Sequence, residues 1–355
     1  MSMPTALRVF LSYTPRELAA FYSQEALATL GRHAELVFNT GGEVLDGTAL
    51  AAAARDCDVV IAHRSSAGLR STFEASPRML AFLRGAVDVS TIDIAAASEH
   101  GILVTHATAG FGQAVAELAA AMMFDLARGI SRARAATARG EAPLVAKARE
   151  LRGSCLAVVG YGVIGRAMAQ LGRALGMEVL LVDPALGDAC DGLPVLPLQA
   201  ALARADFTVC LAPSVAATRG LFGAAAFAAM RPGSFFLNLS RGELVDEDAL
   251  EAALDSGRLG GAGLDVGSAP DQQPAPRFVG RDDVVTMPHV GGMTHPARHH
   301  QAQDTVLQVL AIAQGRMPDH AVNPDAGLRL RRHFADVAAA AARPSSPVRP
   351  NPSAP

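Results

Sequence analysis

Residues 155–183 read CLAVVGYGVIGRAMAQLGRALGMEVLLVD, and the fold of this chain is predicted from the pattern of this segment. Its first five residues form an apolar run typical of a buried strand, and the glycine-rich GYGVIG follows at 160–165. A helix is predicted next, because apolar residues recur every four positions from Ala167 to Leu175. A second strand, EVLLVD, ends on Asp183. Strand, glycine turn, helix, strand and terminal acid together predict one half of a doubly wound, dinucleotide-binding α/β sheet.

Each glycine of this turn has a physical task in binding a dinucleotide. Gly160 permits a tight turn, Gly162 lets the backbone approach a pyrophosphate, and Gly165 lets the helix pack closely on the strand. The helix N-terminus offers unpaired N–H groups and the positive end of its dipole to the phosphates. A carboxylate at Asp183 can accept both ribose hydroxyls and repels a 2′-phosphate, so NAD is favoured over NADP. The alternative is a purely structural glycine-rich turn.

Length and composition bound the class of protein. The chain has 355 residues, 50% of them hydrophobic, and a net charge of −3. This length suits two domains with large cores, and the absence of a basic excess argues against a nucleic-acid surface. No apolar stretch is long enough for a transmembrane helix, and no signal peptide is expected from the short apolar run between Arg8 and Arg16. Four scattered cysteines are interpreted as buried free thiols in a reducing cytoplasm.

Strand-like and helix-like runs alternate along the chain and predict two α/β domains. In the first domain, strands are predicted at 7–11, 34–38, 57–63 and 102–105, with a helix at 48–56. One long helix is predicted over 113–135 from its apolar spacing, and another over 296–315 that packs back on the first domain. Residues 337–355, which end in the proline-rich RPSSPVRPNPSAP, are expected to be disordered.

Three further predicted strands are each followed by a polar residue. They are SFFLNLSRG (234–242) with Arg241, GAGLDVG (261–267) with Asp265, and DVVTMPHVGG (283–292) with His289. Ligands of open parallel sheets lie beyond the carboxyl ends of the strands. We therefore expect these three side chains to converge on the edge where a nicotinamide would lie.

The order of GYGVIG, Asp183-Pro184, MRPGSFFLNLSRGELVDEDAL, GAGLDV and MPHVGG resembles the D-isomer-specific 2-hydroxyacid dehydrogenases. That family includes phosphoglycerate and glycerate dehydrogenases. The resemblance implies a Rossmann-type NAD domain, 105–296, inserted in a smaller flavodoxin-like α/β substrate domain made of 1–104 and 297–330. It also implies NAD-dependent hydride transfer between a small D-2-hydroxy acid and its 2-oxo acid, and we expect a homodimer.

The catalytic roles follow from chemistry together with the resemblance. The planar, permanently charged guanidinium of Arg241 can bind the carboxylate and the carbonyl of a 2-oxo acid and polarise the carbonyl. NADH delivers hydride to the carbonyl carbon, and His289 supplies the proton, since an imidazole titrates near pH ~6.5. Asp265 resembles the family residue near the nicotinamide amide. The alternatives are a surface salt bridge for Arg241 and a structural turn histidine for His289.

Further cofactor contacts are predicted in the glycine turn and beyond later strands. The candidate cofactor-binding residues are Gly160, Gly162, Val163, Ile164, Gly165, Asp183, Pro213, Leu239, Ser240, Asp265 and Gly291. A metal is not expected. His295 and His299 are spaced i, i+4, as are His300 and Asp304, but a polar helix start accounts for this spacing.

The sequence departs from the family at the glutamate that pairs with the histidine. After Asp265 it reads VGSAPDQQP, with Ala269 or Pro270 at the position of the glutamate. The nearest acid is Asp271, which either replaces the glutamate as a catalytic residue or is only a turn residue between prolines.

The predicted substrate loop departs as well. It reads GAVDVSTID at 85–93, with Asp88 and Ser90 in place of the family's glycine and aspartate, so the substrate stays open. Arg64 and Ser65 align with positions that contact substrate in phosphoglycerate-type members, or they form a solvent-exposed loop pair. Two other functions therefore remain: a glyoxylate or hydroxypyruvate reductase, and a weakly catalytic NAD(H)-sensing protein like the family's transcriptional corepressors.

Overall fold

The computed structural model describes residues 7–142 and 148–341, and of residues 271, 340 and 341 it describes the backbone alone. The strands are β1 (Leu7–Leu11), β2 (Ala34–Phe38), β3 (Val59–Ala62), β4 (Ala81–Arg84), β5 (Leu103–His106), β6 (Cys155–Val159), β7 (Glu178–Val182), β8 (Ala189–Cys190), β9 (Leu193–Pro194), β10 (Phe207–Cys210), β11 (Ser234–Asn238), β12 (Leu259–Leu264) and β13 (Val284–Thr286). The helices are α1 (Pro15–Phe21), α2 (Gln24–Gly31), α3 (Gly47–Ala53), α4 (Arg70–Glu74), α5 (Ile94–Glu99), α6 (Gly112–Arg128), α7 (Ile130–Ala138), α8 (Val163–Ala174), α9 (Leu198–Leu202), α10 (Ala224–Ala229), α11 (Glu247–Asp255), α12 (His295–Ala313) and α13 (Leu328–Ala341). Short 3₁₀ helices cover Gly242–Leu244, Pro270–Gln272 and Pro276–Phe278.

The described residues form two compact units. The first unit contains 7–110 and 298–341, and the second is the continuous segment Phe111–Ala297. The first predicted domain ends at residue 104, whereas residues 105–110 group with the first unit in the structure.

The first unit is built on a five-stranded parallel sheet in the order β2-β1-β3-β4-β5. This is the flavodoxin-like order, with a switch point between β1 and β3. The face that carries Leu7, Val9 and Leu11 packs in one core with Ala302, Val306, Val309 and Ile312 of α12. Residues of β1 and of α12, which are far apart in sequence, thus form one core.

The second unit is built on a six-stranded parallel sheet in the order β13-β12-β11-β10-β6-β7. Beyond β7, a third Rossmann strand is reduced to one parallel bridge between Leu181 and Val195, next to the β8–β9 hairpin. Apolar residues cover both faces of this sheet, among them Phe222 and Phe236 on one side and Met122 on the other. The order reverses between β6 and β10, which is where doubly wound sheets bind ligands.

The prediction of one helix over 113–135 is wrong, because Gly129 divides it. Gly129 has φ 65° and ends α6 with an N–H bond of 2.6 Å to the carbonyl of Asp125. The Asp125 carboxylate then accepts the backbone N–H of Ser131 at 2.8 Å in the first turn of α7. The apolar spacing predicts α6, but a left-handed glycine at its end redirects the chain.

The predicted disordered tail begins too early. Helix α13 continues to Ala341, with Leu330 fully buried, so residues 337–341 are helical. Residues 342–355, which include the proline-rich stretch, lie outside the described residues.

The four cysteines are free thiols: Cys57, Cys155 and Cys210 are buried, and Cys190 is half-buried. Burial raises the pKa of Cys155 to about 11 and that of Cys210 to about 12, so these two stay protonated. Over 7–142 and 148–341, no helix is both long enough and apolar enough to cross a membrane.

Candidate active site

The glycine turn after β6 lies at the switch point of the second unit. Gly160 has φ 97°, and a Cβ there would lie 2.6 Å from the backbone N of Ala212, beyond β10. A Cβ at Gly165 would lie 2.1 Å from the carbonyl oxygen of Gly160. A side chain at either position would therefore have to displace backbone atoms, whatever the turn binds.

Gly162 differs, because no atom lies within 4 Å of the position a Cβ would take. It is the N-cap of α8 and offers no side-chain cap, so the N–H groups of Val163 and Ile164 start the helix without an intrahelical acceptor. Open space in front of free N–H groups at a helix N-terminus suits a pyrophosphate.

Asp183 follows β7 and faces the same turn. Its Oδ2 accepts the backbone N–H of Tyr161 at 2.8 Å, and its Oδ1 accepts that of Ala185 at 3.0 Å. Each carboxylate oxygen has a further lone pair for a ribose hydroxyl. The residues of this edge therefore fit the adenosine and pyrophosphate parts of a dinucleotide.

An arginine in the first turn of α8, Arg166, is held by Tyr161 and Asp191. Arg166 lies over the ring of Tyr161, 4.6 Å from its centroid, and its Nη1 is 2.6 Å from Asp191 Oδ2. The Tyr161 hydroxyl donates to the same Asp191 oxygen at 2.9 Å. These contacts direct the guanidinium of Arg166 to the carboxylate of Asp191.

The turn that carries Arg241 is organised by Asn238, the last residue of β11. Asn238 Nδ2 donates to the carbonyl of Arg241 at 2.9 Å, and Asn238 Oδ1 accepts the N–H of Ser240 at 3.1 Å. The Ser240 hydroxyl donates to the carbonyl of Ala212. Arg241 is half-buried, and its Nη1 donates to the carbonyl of Ser240 at 2.8 Å. Asn238 is thus a residue of the candidate site that the sequence patterns do not indicate.

The other residues predicted beyond these strands have different surroundings. Leu239 is buried and packs in the core of the second unit. Pro213 is exposed and begins a loop, which is closed by a hydrogen bond of 2.6 Å from Thr218 Oγ1 to the Pro213 carbonyl. A cofactor contact from Leu239 would therefore come from its backbone.

Asp265 connects the Arg241 turn to the loop that carries His289. Its side chain is only 3% exposed; Oδ1 accepts the N–H of Val290 at 2.8 Å and Oδ2 that of Gly291 at 2.9 Å. Its own N–H donates to the carbonyl of Asn238 at 3.1 Å. One chain of hydrogen bonds therefore runs from Arg241 through Asn238 and Asp265 to the residues that follow His289.

His289 has a left-handed backbone, with φ 54°. Residues with a Cβ rarely adopt this conformation, and it persists where the surroundings fix it. Here the fixing bonds are the N–H of His289 to the carbonyl of Met287, 3.0 Å, and the two bonds of Asp265 to Val290 and Gly291. The fold therefore fixes the backbone of His289, which is half-buried, beyond the carboxyl end of β13.

The loop after Asp265, where the family places its glutamate, is closed on itself. The N–H of Gly267 donates to the carbonyl of Gln272 at 2.9 Å, and that of Ala269 to the carbonyl of Gln273 at 3.0 Å. Asp271 lies in the 3₁₀ helix Pro270–Gln272, and its side chain lies outside the described residues. The idea that Asp271 replaces the glutamate therefore stays a prediction.

Arg64 and Ser65 follow β3 and belong to the first unit. Ser65 Oγ lies 2.7 Å from Nδ1 of His63, and Glu17 Oε1 lies 3.1 Å from the same nitrogen. Burial lowers the pKa of His63 to about 4, against the opposing effect of Glu17. The buried Arg84 donates to the carbonyl of His63 at 2.6 Å. The segment that presents Ser65 is therefore fixed from two sides.

The departures in the loop at 85–93 form a turn of their own. Asp88 Oδ1 accepts the N–H of Ser90 at 2.8 Å, and both residues are exposed.

A histidine and an acid of α12 bond to Thr108. His300 Nε2 lies 2.7 Å from Thr108 Oγ1, which donates to Asp304 at 2.6 Å. Within the described ranges, no three His, Cys, Asp or Glu side chains are grouped to hold a metal ion.

A glycine turn at a switch point, with an acid after the second strand and an arginine and a histidine beyond neighbouring strands, is the arrangement of a dinucleotide-binding domain of the Rossmann class. Residues 120–291 match the family model described as "D-isomer specific 2-hydroxyacid dehydrogenase, NAD binding domain". The chain is 30% identical over 282 residues to a glyoxylate reductase of Thermococcus litoralis, covering 76% of this chain and 85% of that protein. It belongs to the D-isomer-specific 2-hydroxyacid dehydrogenase family, as the motifs predict, and carries its NAD-binding domain.

Two further comparisons bear on length and fold. The chain is 32% identical over 272 residues to D-3-phosphoglycerate dehydrogenase 3, chloroplastic, of Arabidopsis thaliana, covering 75% of this chain and 46% of that protein. The chain thus spans about half the length of such relatives. A crystal structure of a Polaromonas protein, whose description places it in the same family, superposes with a TM-score of 0.80 at 26% identity, covering 90% of this chain and 100% of that one. The predicted Rossmann-type α/β fold is confirmed.

Proposed function

We propose that this protein is an NAD-dependent dehydrogenase that interconverts a small 2-oxo acid and its D-2-hydroxy acid. The observation that carries the proposal is the hydrogen-bond chain from Arg241 through Asn238 and Asp265 to the loop of His289. It couples a permanent cation and a proton donor at the edge of the sheet where the glycine turn lies. The D configuration is inferred from membership of the family alone.

In this proposal the bound cofactor supplies the hydride. Arg241 binds the carboxylate of the 2-oxo acid and polarises its carbonyl, because a guanidinium fork can donate to both groups. His289 donates a proton to the carbonyl oxygen during reduction and accepts it during oxidation. Asp265 does not need to react: it holds the backbone that follows His289 and so fixes where the histidine lies on the sheet edge.

The size of the substrate is proposed from the relatives and from the first unit. Relatives are named for glyoxylate and for 3-phosphoglycerate, which are small acids with a carboxylate beside the reacting carbon. Ser65 lies against His63 at the carboxyl end of β3, so we propose Arg64 and Ser65 as substrate contacts of the first unit. A glyoxylate or hydroxypyruvate reductase is the narrower form of this proposal, supported by the 85% coverage of the Thermococcus glyoxylate reductase.

The missing glutamate supports a second candidate, an NAD(H)-sensing protein that turns over almost nothing. We propose instead that Asp271, in the closed loop after Asp265, takes the place of the glutamate. The two candidates differ in catalysis and not in cofactor binding. Incubation of the purified protein with NADH and a panel containing glyoxylate, hydroxypyruvate, pyruvate and 3-phosphohydroxypyruvate separates them. Steady NADH oxidation with at least one acid is expected; tight NADH binding without turnover would favour the sensor.

We also propose that the protein is a homodimer of the cytoplasm. Exposed apolar side chains of Phe124 and Ile130 flank the joint between α6 and α7, where a second copy could cover them. Free thiols at all four cysteines suit a reducing compartment. Light scattering of the purified protein is expected to give a mass of two chains, and a mass of one chain would contradict this part of the proposal.

A further inference from the structure

The turn that presents Arg241 touches the loop that replaces the family's glutamate segment. A Cβ at Gly242 would lie 2.3 Å from the carbonyl oxygen of Gly267, so the two backbones are in direct contact. Gly242 directly follows Arg241, and Gly267 lies two residues after Asp265. The conformation of one segment therefore constrains the other.

Gln272 bridges these segments with its side chain. Its Oε1 accepts the backbone N–H of Gly242 at 3.2 Å, and its Nε2 donates to Glu243 Oε1 at 2.9 Å. Its backbone is left-handed, with φ 58°, and its carbonyl accepts the N–H of Gly267 at 2.9 Å. Gln272 therefore connects the two segments: its backbone bonds to Gly267, and its side-chain amide bonds to Gly242 and Glu243.

Glu243 depends on this connection. The bond from Gln272 is the largest cause that lowers the pKa of Glu243; its own backbone N–H and the charges of Arg241 and Arg219 lower it further. Its second oxygen, Oε2, is buried and has no hydrogen-bond partner in the described part of the chain. The orientation of a charged carboxylate close to Arg241 therefore rests on the Gln272 amide.

We propose that Gln272 is a positioning residue for Arg241. By holding the Gly242 amide and the Glu243 carboxylate together, it fixes the turn in which the guanidinium is aimed at the carboxylate of the substrate. The inference rests on the proposed function, because it assigns to Arg241 the role of binding a 2-oxo acid. Gln272 itself need not touch the substrate or the cofactor.

The test uses three variants of the full chain. Gln272→Ala removes both side-chain bonds and is expected to raise KM for the 2-oxo acid roughly tenfold, with the affinity for NADH unchanged within about twofold. Gln272→Glu opposes two carboxylates and is expected to raise KM at least as much. The double variant Gln272→Glu with Glu243→Gln restores the pair, because the carboxylate now at 272 accepts from Gly242 and from the amide now at 243. Its KM is expected to return to within about threefold of the unmodified protein.

A matched control is Gln199→Ala on the exposed face of α9, which is expected to leave KM unchanged. Unchanged KM in Gln272→Ala, or a double variant no better than Gln272→Glu alone, would overturn the inference in an active protein. An unmodified protein that reduces no 2-oxo acid would instead contradict the proposed function. In that case hydrogen exchange of the Gly242 amide tests whether Gln272 holds this turn. Faster exchange in Gln272→Ala supports the positioning role of Gln272, and equal exchange overturns it.

Discussion

Alanine substitution at two glycines of one turn, Gly162 and Gly165, is expected to have different effects: at Gly165 it lowers the stability of the protein, and at Gly162 it lowers the affinity for NADH. An alanine at 165 must place its Cβ 2.1 Å from the Gly160 carbonyl oxygen, a backbone atom that cannot rotate away. An alanine at 162 meets no atom within 4 Å. The first substitution therefore tests the packing of α8 on β6, and the second tests whether the space in front of α8 belongs to a ligand.

The magnitudes follow from these distances. At Gly165, the atoms must separate by about 1.3 Å to reach the 3.4 Å of an ordinary contact, and overpacking of this kind costs about 1–3 kcal/mol. Gly165→Ala is expected to lower the free energy of unfolding by that amount. Gly162→Ala is expected to change it by less than about 0.5 kcal/mol, because nothing is displaced. Its affinity for NADH is expected to fall at least tenfold, about 1.4 kcal/mol, since the methyl group occupies the approach of the pyrophosphate.

The assay is urea unfolding together with NADH titration by fluorescence, for both variants and for Gly187→Ala. Gly187 also has open space around its Cβ position, and it lies outside the glycine turn, so its variant controls for an added methyl group. A Gly162→Ala protein that binds NADH as tightly as the unmodified protein would refute the assignment of the dinucleotide site. A loss of stability at Gly162 equal to that at Gly165 would refute the geometry of the turn.

Other residues allow shorter tests. Asp183→Ser is expected to relax the preference for NADH over NADPH, measured as the ratio of kcat/KM values, because it removes a charge that repels a 2′-phosphate; equal use of both cofactors by the unmodified protein would contradict the ribose contact. Arg241→Lys keeps the charge but loses the fork, so kcat/KM with 2-oxo acids is expected to fall while NADH affinity stays, and unchanged kinetics would remove Arg241 from the site. Asp271→Asn is expected to move the falling limb of reductive kcat/KM to lower pH, since a carboxylate beside His289 favours its protonated form, and superimposable profiles would discard the substitution. Burial lowers the pKa of His63 to about 4 in the folded protein, so between about pH 6.5 and 4 the unfolded chain binds one proton more than the folded chain. The free energy of unfolding is therefore expected to fall by up to about 1.4 kcal/mol for each unit by which the pH is lowered across this range. The urea midpoint of His63→Gln is expected to depend less on pH.

Much of the fold could be predicted from local patterns. The strands at 7–11 and 34–38 have the predicted bounds, and the strand–turn–helix unit around Gly160 is present as expected. These elements combine an apolar run with a sharp stop signal, so sequence alone defines them. The division of the long helix at Gly129 was missed because the apolar spacing continues past it. Only the left-handed backbone of Gly129 ends α6, and an isolated glycine in a helical pattern does not specify its φ angle.

The candidate site was predicted in its residues more than in its connections. Arg241, Asp265 and His289 were found because each follows an apolar strand, which is a local signal. The sequence patterns do not indicate Asn238 or Gln272. Asn238 bonds to Arg241 within a turn that exists only in the folded chain, and Gln272 bonds to Gly242, which lies 30 positions away. Amide side chains give no pattern of charge or hydrophobicity, so only coordinates show what they connect.

The discontinuous core of the first unit has a consequence for synthesis on the ribosome. Leu7, Val9 and Leu11 share one core with α12, whose Val306 and Ile312 emerge about 300 residues later. At roughly 5–20 residues per second, this face of the sheet waits about 15–60 s for its cover, while the continuous second unit can already fold. During that interval the nascent chain exposes a β surface rich in aliphatic side chains, which is the kind of surface that chaperones bind. Expression at lower temperature or with added chaperone is therefore expected to raise the yield of active protein more than changes to the surface would.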